Sequence, residues 1–336
     1  MLALDKRVRE VAVHDGAIPD EMLRATAPYI VRGLAAGWPL VQAARSSHDA
    51  ADAYLRRFYG NATVHALLGH PAIAGRFFYN EALDGFNYQS VRARLDGILD
   101  ELKVQATQER PGAIYVGSTT IDTALPGLRA ENDVDLGGRD ALASIWIGNR
   151  TRIAAHYDLP DNIAVVAAGH RRFTLFPPEQ LANLYVGPID FTPAGQPISM
   201  VDFHAPDWER FPRFRTALEH AQVAELGPGD ALFIPSMWWH HVEALDRFNI
   251  LVNYWWRQSP DWMDTPTNSL MLALLTMREL PPAQRRAWQE IFRHYIFEPD
   301  EANLAHMPAQ RRYALAPLDE DGARILRGQV LKRINR

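Results

Sequence analysis

The 336-residue sequence contains no cysteine. That excludes disulfides, thiolate metal sites and a cysteine nucleophile. Any transition metal must be held by histidine and carboxylate, a ligand set that suits iron, manganese or zinc. Long apolar runs are also missing. No window approaches the roughly 20 apolar residues that cross a bilayer, so no membrane partner is expected. The opening stretch, MLALDKRVREVAVHDG, is charged early and does not read as a signal peptide. There is no excess of one charge either. Lys and Arg number 35, Asp and Glu 40, for a net charge of -5. A basic nucleic-acid or membrane surface would announce itself as a positive excess. Internal repeats and low-complexity tracts are absent. A cytoplasmic, mildly acidic enzyme is expected.

What is present is core-forming material. Hydrophobic residues make up 47% of the chain, enough for one large domain with extensions or for two domains. Three regions are expected. Residues 1–110 read as an N-terminal α/β extension that packs on the core. Within it YIVRG (29–33) is a short extended stretch and ATVHALLG a strand or short helix. HDAADAYLRRFYG has helical spacing, with Ala50, Tyr54, Leu55 and Phe58 on one face. SVRARLDGILDELK reads as a second helix, its apolar side being Val91, Leu95, Ile98, Leu99 and Leu102. Residues 111–258 change character. Short β-branched and aromatic runs recur between turn signals such as GNRT, DLPDN and GPGD. With a long interruption around 178–222, the pattern fits a mainly β fold, a double-stranded β-helix (jelly roll), which encloses a cavity at one end. Residues 259–336 read as helical. SLMLALLTMREL is apolar nearly all round, which implies burial on more than one side. A helical cap on the core and a dimer interface both fit, and a homodimer through these helices is expected.

The chemistry begins at His156-Tyr157-Asp158. On a strand, residues two apart share a side. His156 and Asp158 can therefore aim together while Tyr157 points away. A third ligand is available in GPGDALFIPSMWWHHVEAL, where His240 and His241 lie on a later strand. The two point to opposite faces, so one of them reaches the metal; alternation alone does not decide which. Two histidines and a carboxylate leave coordination positions open for a bidentate co-substrate and oxygen. Tyr115, Asn162, Arg171 and Asn253 are polar residues on strands otherwise made of core side chains. A buried arginine is costly unless it meets an anion, and its fork suits a carboxylate. Together these residues would line a pocket for a dicarboxylate that chelates the metal.

AHYD, the FTLFPPEQ that follows GHRR, VDFHAPDWERFP, and GPGDALFIPSMWWHHVEAL leading to VNYWW occur in the order found in the cupin-like JmjC oxygenases. Over roughly residues 112–257 the sequence resembles that family, and within it most closely the asparaginyl hydroxylase that inhibits hypoxia-inducible factor. The resemblance implies iron(II) held by His156, Asp158 and His241, the second histidine of the pair. It implies 2-oxoglutarate as co-substrate, with Tyr115 on its far carboxylate, Asn162 and Asn253 nearby, and Trp255 close to the metal. Two departures stand out. Arg171 takes the place of the family's usual lysine, and Ile153 that of a frequent threonine. The implied reaction is hydroxylation of a C–H bond, of a protein side chain or alternatively of a small molecule or RNA base. N-methyl demethylation uses the same site. A metal-binding cupin without oxygenase activity, a sensor or isomerase, is a further alternative.

Overall fold

Valine, isoleucine and aromatic side chains crowd the middle of the chain, and they fit a pleated, half-buried surface. The computed structural model describes residues 4–13 and 17–335. They divide into two compact units, residues 1–257 and 258–336.

The first unit contains β1 (Arg9–Val11), β2 (Tyr29–Val31), β3 (Thr63–Gly69), β4 (Arg76–Phe77), β5 (Tyr88–Arg94), β6 (Ala113–Thr120) and β7 (Leu142–Gly148). It continues with β8 (Arg152–His156), β9 (Asp161–Ala168), β10 (Arg171–Phe176), β11 (Gln222–Leu226), β12 (Ala231–Ile234), β13 (Trp239–Ala244) and β14 (Asn249–Trp256). They form a nine-stranded sheet, in the order β1-β2-β12-β9-β14-β7-β6-β3-β5, and a five-stranded sheet, β11-β10-β13-β8-β4. Val166, Leu232 and Leu251 of the larger sheet pack with Phe173, Leu175 and Val242 of the smaller one. The result is a jelly roll with one apolar layer between its sheets.

A second layer covers the back of the larger sheet. It includes α1 (Pro39–Ser46), α2 (His48–Arg56) and α3 (Leu95–Ala106), whose Leu40, Leu55 and Leu99 join the same core as Ile145 and Ile163. The N-terminal region is thus built into the sheet, since β2 pairs with β12 and β3 with β6. A third apolar cluster, with Phe176, Phe203, Phe214 and Trp239, backs the smaller sheet.

Two readings of local structure need correction. The expected helix over SVRARLDGILDELK begins only at Leu95, and Val91 lies on β5 opposite Ala66. Pairing along the whole of β3 outweighs helical spacing in the first half of the segment. On α2 the buried positions are Ala51, Asp52, Tyr54 and Leu55, so the face is turned one residue from Ala50.

The second unit has α6 (Pro266–Thr276), α7 (Pro282–Phe292) and α8 (Glu320–Ile334), which follow the short α4 (Ile121–Ala124) and α5 (Phe214–Glu219) of the first. No described residue from 258 to 335 is buried. The expectation that SLMLALLTMREL is covered on more than one side is therefore not met within this unit: Leu275 is 76% exposed. No helix among the described residues is long and apolar enough to cross a membrane.

Candidate metal and co-substrate site

β8 and β13 lie side by side and antiparallel, and their register sets His240 opposite His156. Side chains at directly opposed positions share a face. The ring centroids of these two imidazoles are 4.3 Å apart. Asp158 follows just beyond the end of β8, and its Oδ2 lies 3.7 Å from Nε2 of His240. The ligand atoms of His156, Asp158 and His240 all fall within 4.8 Å of one another.

His241 is not part of this cluster. It occupies the next position on β13 and so points to the opposite face, where its ring stacks on Phe203 at 4.5 Å. The third member expected from the family resemblance was His241; the geometry puts His240 there instead. The physical reason is register: whichever histidine stands across from His156 faces it.

Each ring of the cluster is oriented by its backbone. Nδ1 of His156 donates to the carbonyl of Ala154 at 2.9 Å, and Nδ1 of His240 to that of Trp238 at 2.9 Å. A carbonyl can only accept, so the proton sits on Nδ1 and Nε2 keeps its lone pair. Burial, with His156 beside it, pushes His240 down to about 4, so the ring is neutral at ordinary pH. The carboxylate is oriented too. Asp158 Oδ2 accepts from the indole Nε1 of Trp255 at 3.2 Å and from Nδ2 of Asn162 at 3.4 Å. Asn253 in turn donates to Oδ1 of Asn162 at 2.7 Å. Two imidazole lone pairs and a carboxylate, each fixed by an outer hydrogen bond, fit a divalent transition metal.

Beside the cluster is a cavity of about 300 Å³. Tyr115, Asn162, Arg171, Asn253 and Trp255 all line it together with His156, Asp158 and His240. Arg171 enters from β10, placed there by the turn at Gly169. Gly169 has φ +71°, and a Cβ there would lie 2.3 Å from Oδ1 of Asn249. Arg171 is 1% exposed, and its Nε is buried without a hydrogen-bond partner. Among the described residues no carboxylate forms an ion pair with it. Burial pushes it down to about 10, where it is still charged at neutral pH. Burial also raises the Tyr115 hydroxyl well above its ordinary value, so it is a neutral donor. The neighbouring Arg172 faces the other way, with Nε 4.0 Å from Glu225. Ile153, where a threonine is usual, lines the same cavity.

Several cavity residues carried no sequence signal. Trp146 stacks on Tyr115 at 5.5 Å and meets Trp255 edge-on at 5.8 Å. Its place in SIWIGN reads equally well as core. Pro193, Ala194 and Gln196 also line the cavity. They come from a hairpin inside the long interruption, closed by the bridge Val186 to Ser199. Its tip is held by the hydroxyl of Tyr79, which donates to the Phe191 carbonyl at 2.6 Å. Contacts so distant in sequence leave no local pattern.

Residues 16–262 match the model of a cupin-like domain. Human HSPB1-associated protein 1 is 34% identical over 164 residues, covering 47% of this chain and 33% of the relative. Lysine-specific demethylase JMJ31 of Arabidopsis thaliana is 27% identical over 268 residues, 71% of this chain and 48% of the relative. tRNA wybutosine-synthesizing protein 5 of Danio rerio is 35% identical over 105 residues, 31% of this chain and 29% of the relative. The chain thus spans from under a third to about half of the length of these relatives. With the two-sheet fold and the His-Asp-His cluster at its cavity, the chain belongs to the cupin-like domain family, of the JmjC type.

Proposed function

We propose that this protein is an iron(II)- and 2-oxoglutarate-dependent dioxygenase that hydroxylates a C–H bond, with His156, Asp158 and His240 holding the metal. The observation that carries the reading is Arg171. A buried guanidinium without a carboxylate partner costs several kcal/mol. A dianionic keto acid supplies the missing charge, and the cavity volume accommodates a molecule of that size. A sensor or isomerase without an anionic co-substrate would have no use for Arg171.

The roles of the residues follow from their positions. Arg171 and the neutral Tyr115 hydroxyl grip the far carboxylate of 2-oxoglutarate, which sets its keto-acid end toward the cluster. The loss of a hydroxyl at Ile153 leaves the guanidinium fork to carry more of that grip. Trp255 and Asn162 hold Asp158 in one orientation, and Asn253 holds Asn162. Trp146, Phe173 and Leu251 keep the cavity dry. Bound iron(II) would supply the redox chemistry that splits dioxygen between co-substrate and substrate, giving succinate, carbon dioxide and a hydroxylated product.

We further propose a protein side chain as substrate. The names of the relatives mention a lysine demethylase and a tRNA-modifying protein, so N-methyl groups and RNA bases are the competing substrates; a small molecule is another. The helices of residues 258–336 are proposed to pair with a second copy. A unit in which no described residue is buried, and which exposes Leu275, Ile296 and Phe297, lacks a core of its own.

Conversion of 2-oxoglutarate to succinate, with iron(II), ascorbate and air, tests the reading even without the true substrate. The wild type should give a slow uncoupled turnover. Arg171→Ala should lose it by about 100-fold or more, the scale of a missing charge-assisted pair. Equal rates in the two would refute the assignment of Arg171.

A further inference from the structure

The stretch Val201-Asp202-Phe203-His204 takes no part in the site just described. It crosses the reverse of the smaller sheet, and three consecutive side chains find partners there. Asp202 pairs with Arg152 at 3.2 Å and with Arg76 at 3.7 Å. The Phe203 ring lies on the imidazole of His241, with centroids 4.5 Å apart and planes 19° from parallel. His204 bonds the carboxylate of Glu243 through Nε2. Arg152 belongs to β8, and His241 and Glu243 to β13. The segment therefore grips, from behind, the two strands that carry His156 and His240.

The same segment reaches the backbone next to His156. Between β8 and β13 the pairing runs from His240–His156 to Val242–Ile153. His241 alone thus faces both Ala154 and Ala155, which is a β-bulge. A bulge bends its strand and re-aims the side chains beside it. Both bulged residues have their carbonyls engaged. That of Ala154 accepts from Nδ1 of His156 at 2.9 Å, and that of Ala155 accepts from the backbone N–H of Ser199 at 2.7 Å. Ser199 is itself fully buried, and its hydroxyl donates to the Leu184 carbonyl at 2.6 Å.

We propose that residues 199–204 are the positioning element of the metal ligands, with His241 the positioning residue through which they hold β13. This rests on the reading of His156, Asp158 and His240 as the ligands. His241 acts here as a flat ring: its Nδ1 is buried and without a hydrogen-bond partner, and 3.9 Å from Glu243 is too far for one. An apolar ring should therefore replace it, whereas removing the ring should loosen the bulge and the aim of both imidazoles. Outer-shell losses of this kind cost roughly 10–100-fold in metal affinity.

The test uses the full chain and manganese(II) alone, read by the decrease of the free-ion paramagnetic resonance signal, with circular dichroism to confirm folding. His241→Phe should bind within about 3-fold of wild type. His241→Ala should bind roughly 10-fold more weakly, with a changed line shape for the bound ion, which reports ligand symmetry. If His241→Phe loses the metal as completely as His240→Ala, His241 is a ligand and the proposal is wrong. If His241→Ala binds like wild type, the segment behind the sheet does not act on the ligands. Should His241→Ala fail to fold, Phe203→Leu removes the same stack from the other side; weaker binding supports the proposal and unchanged binding overturns it. Failure of the wild type to bind manganese(II) at all would instead remove the ligand assignment beneath it.

Discussion

Arg171 is a costly side chain for the cavity, because a charge taken out of water loses its hydration. Its guanidinium is removed from water on β10, with Leu226 and Ala244 as strand neighbours rather than acids. Replacing an unpaired buried charge by an apolar side chain of similar length removes a desolvation cost; even for buried ion pairs, which keep their mutual attraction, such replacements are often neutral or stabilising by about 1–4 kcal/mol. Arg171→Met should therefore melt at a higher temperature than the wild type when no co-substrate is present. The order should reverse on adding metal and 2-oxoglutarate, because ligand binding stabilises only the protein that can bind. Calorimetry with and without 2-oxoglutarate measures both halves. A Met variant less stable than wild type in both conditions would mean that Arg171 is structural. The arginine was legible in the sequence because a charge on an apolar strand is conspicuous. The choice between His240 and His241 was not, since two adjacent histidines fit the same pattern. Only the pairing of His240 with His156 separates them.

At the scale of elements, the site depends on the turn that joins β12 to β13. Ser236 donates its hydroxyl to the Leu159 carbonyl at 2.6 Å and its backbone N–H to Asp161 at 2.9 Å. The next residue, Met237, sits at φ +68° and donates its N–H to the Asp158 carbonyl at 2.9 Å. A left-handed backbone at a non-glycine residue is strained and persists where the surroundings impose it. The turn thus stitches the Asp158 loop to the His240 strand. Ser236→Ala should cost about 1 kcal/mol of stability, the worth of one hydrogen bond, and weaken metal binding by roughly 10-fold. Chemical denaturation and a metal titration give the two numbers; a stability loss with unchanged metal affinity would contradict the role given to the turn. The short strands were readable from alternation and turn residues. The start of α3 was not, because β5 owes its conformation to β3, some 25 residues earlier in the chain; such tertiary pairing overrides local propensity. The hairpin that brings Gln196 to the cavity was hidden for the same reason.

For the whole molecule, composition narrows the chemistry that is available. The absence of cysteine leaves only histidine and carboxylate to hold a transition metal, which narrows the search to clusters such as His156, Asp158 and His240. The apolar C-terminal helices were visible too, but not what covers them. If a second copy does, light scattering should give about twice the chain mass of 37.9 kDa. Leu275→Glu, which puts a charge on the apolar face, should shift it toward one chain. A monomeric wild type at micromolar concentration would contradict the pairing.

The ligand assignment and the co-substrate meet in a single measurement. Anaerobic addition of iron(II) and 2-oxoglutarate to the wild type should produce the weak visible charge-transfer band of the keto acid chelated to iron. The band should persist in His241→Phe and vanish in His240→Ala. A wild type without the band at saturating ligand, or a band that survives in His240→Ala, would contradict the site formed by His156, Asp158 and His240.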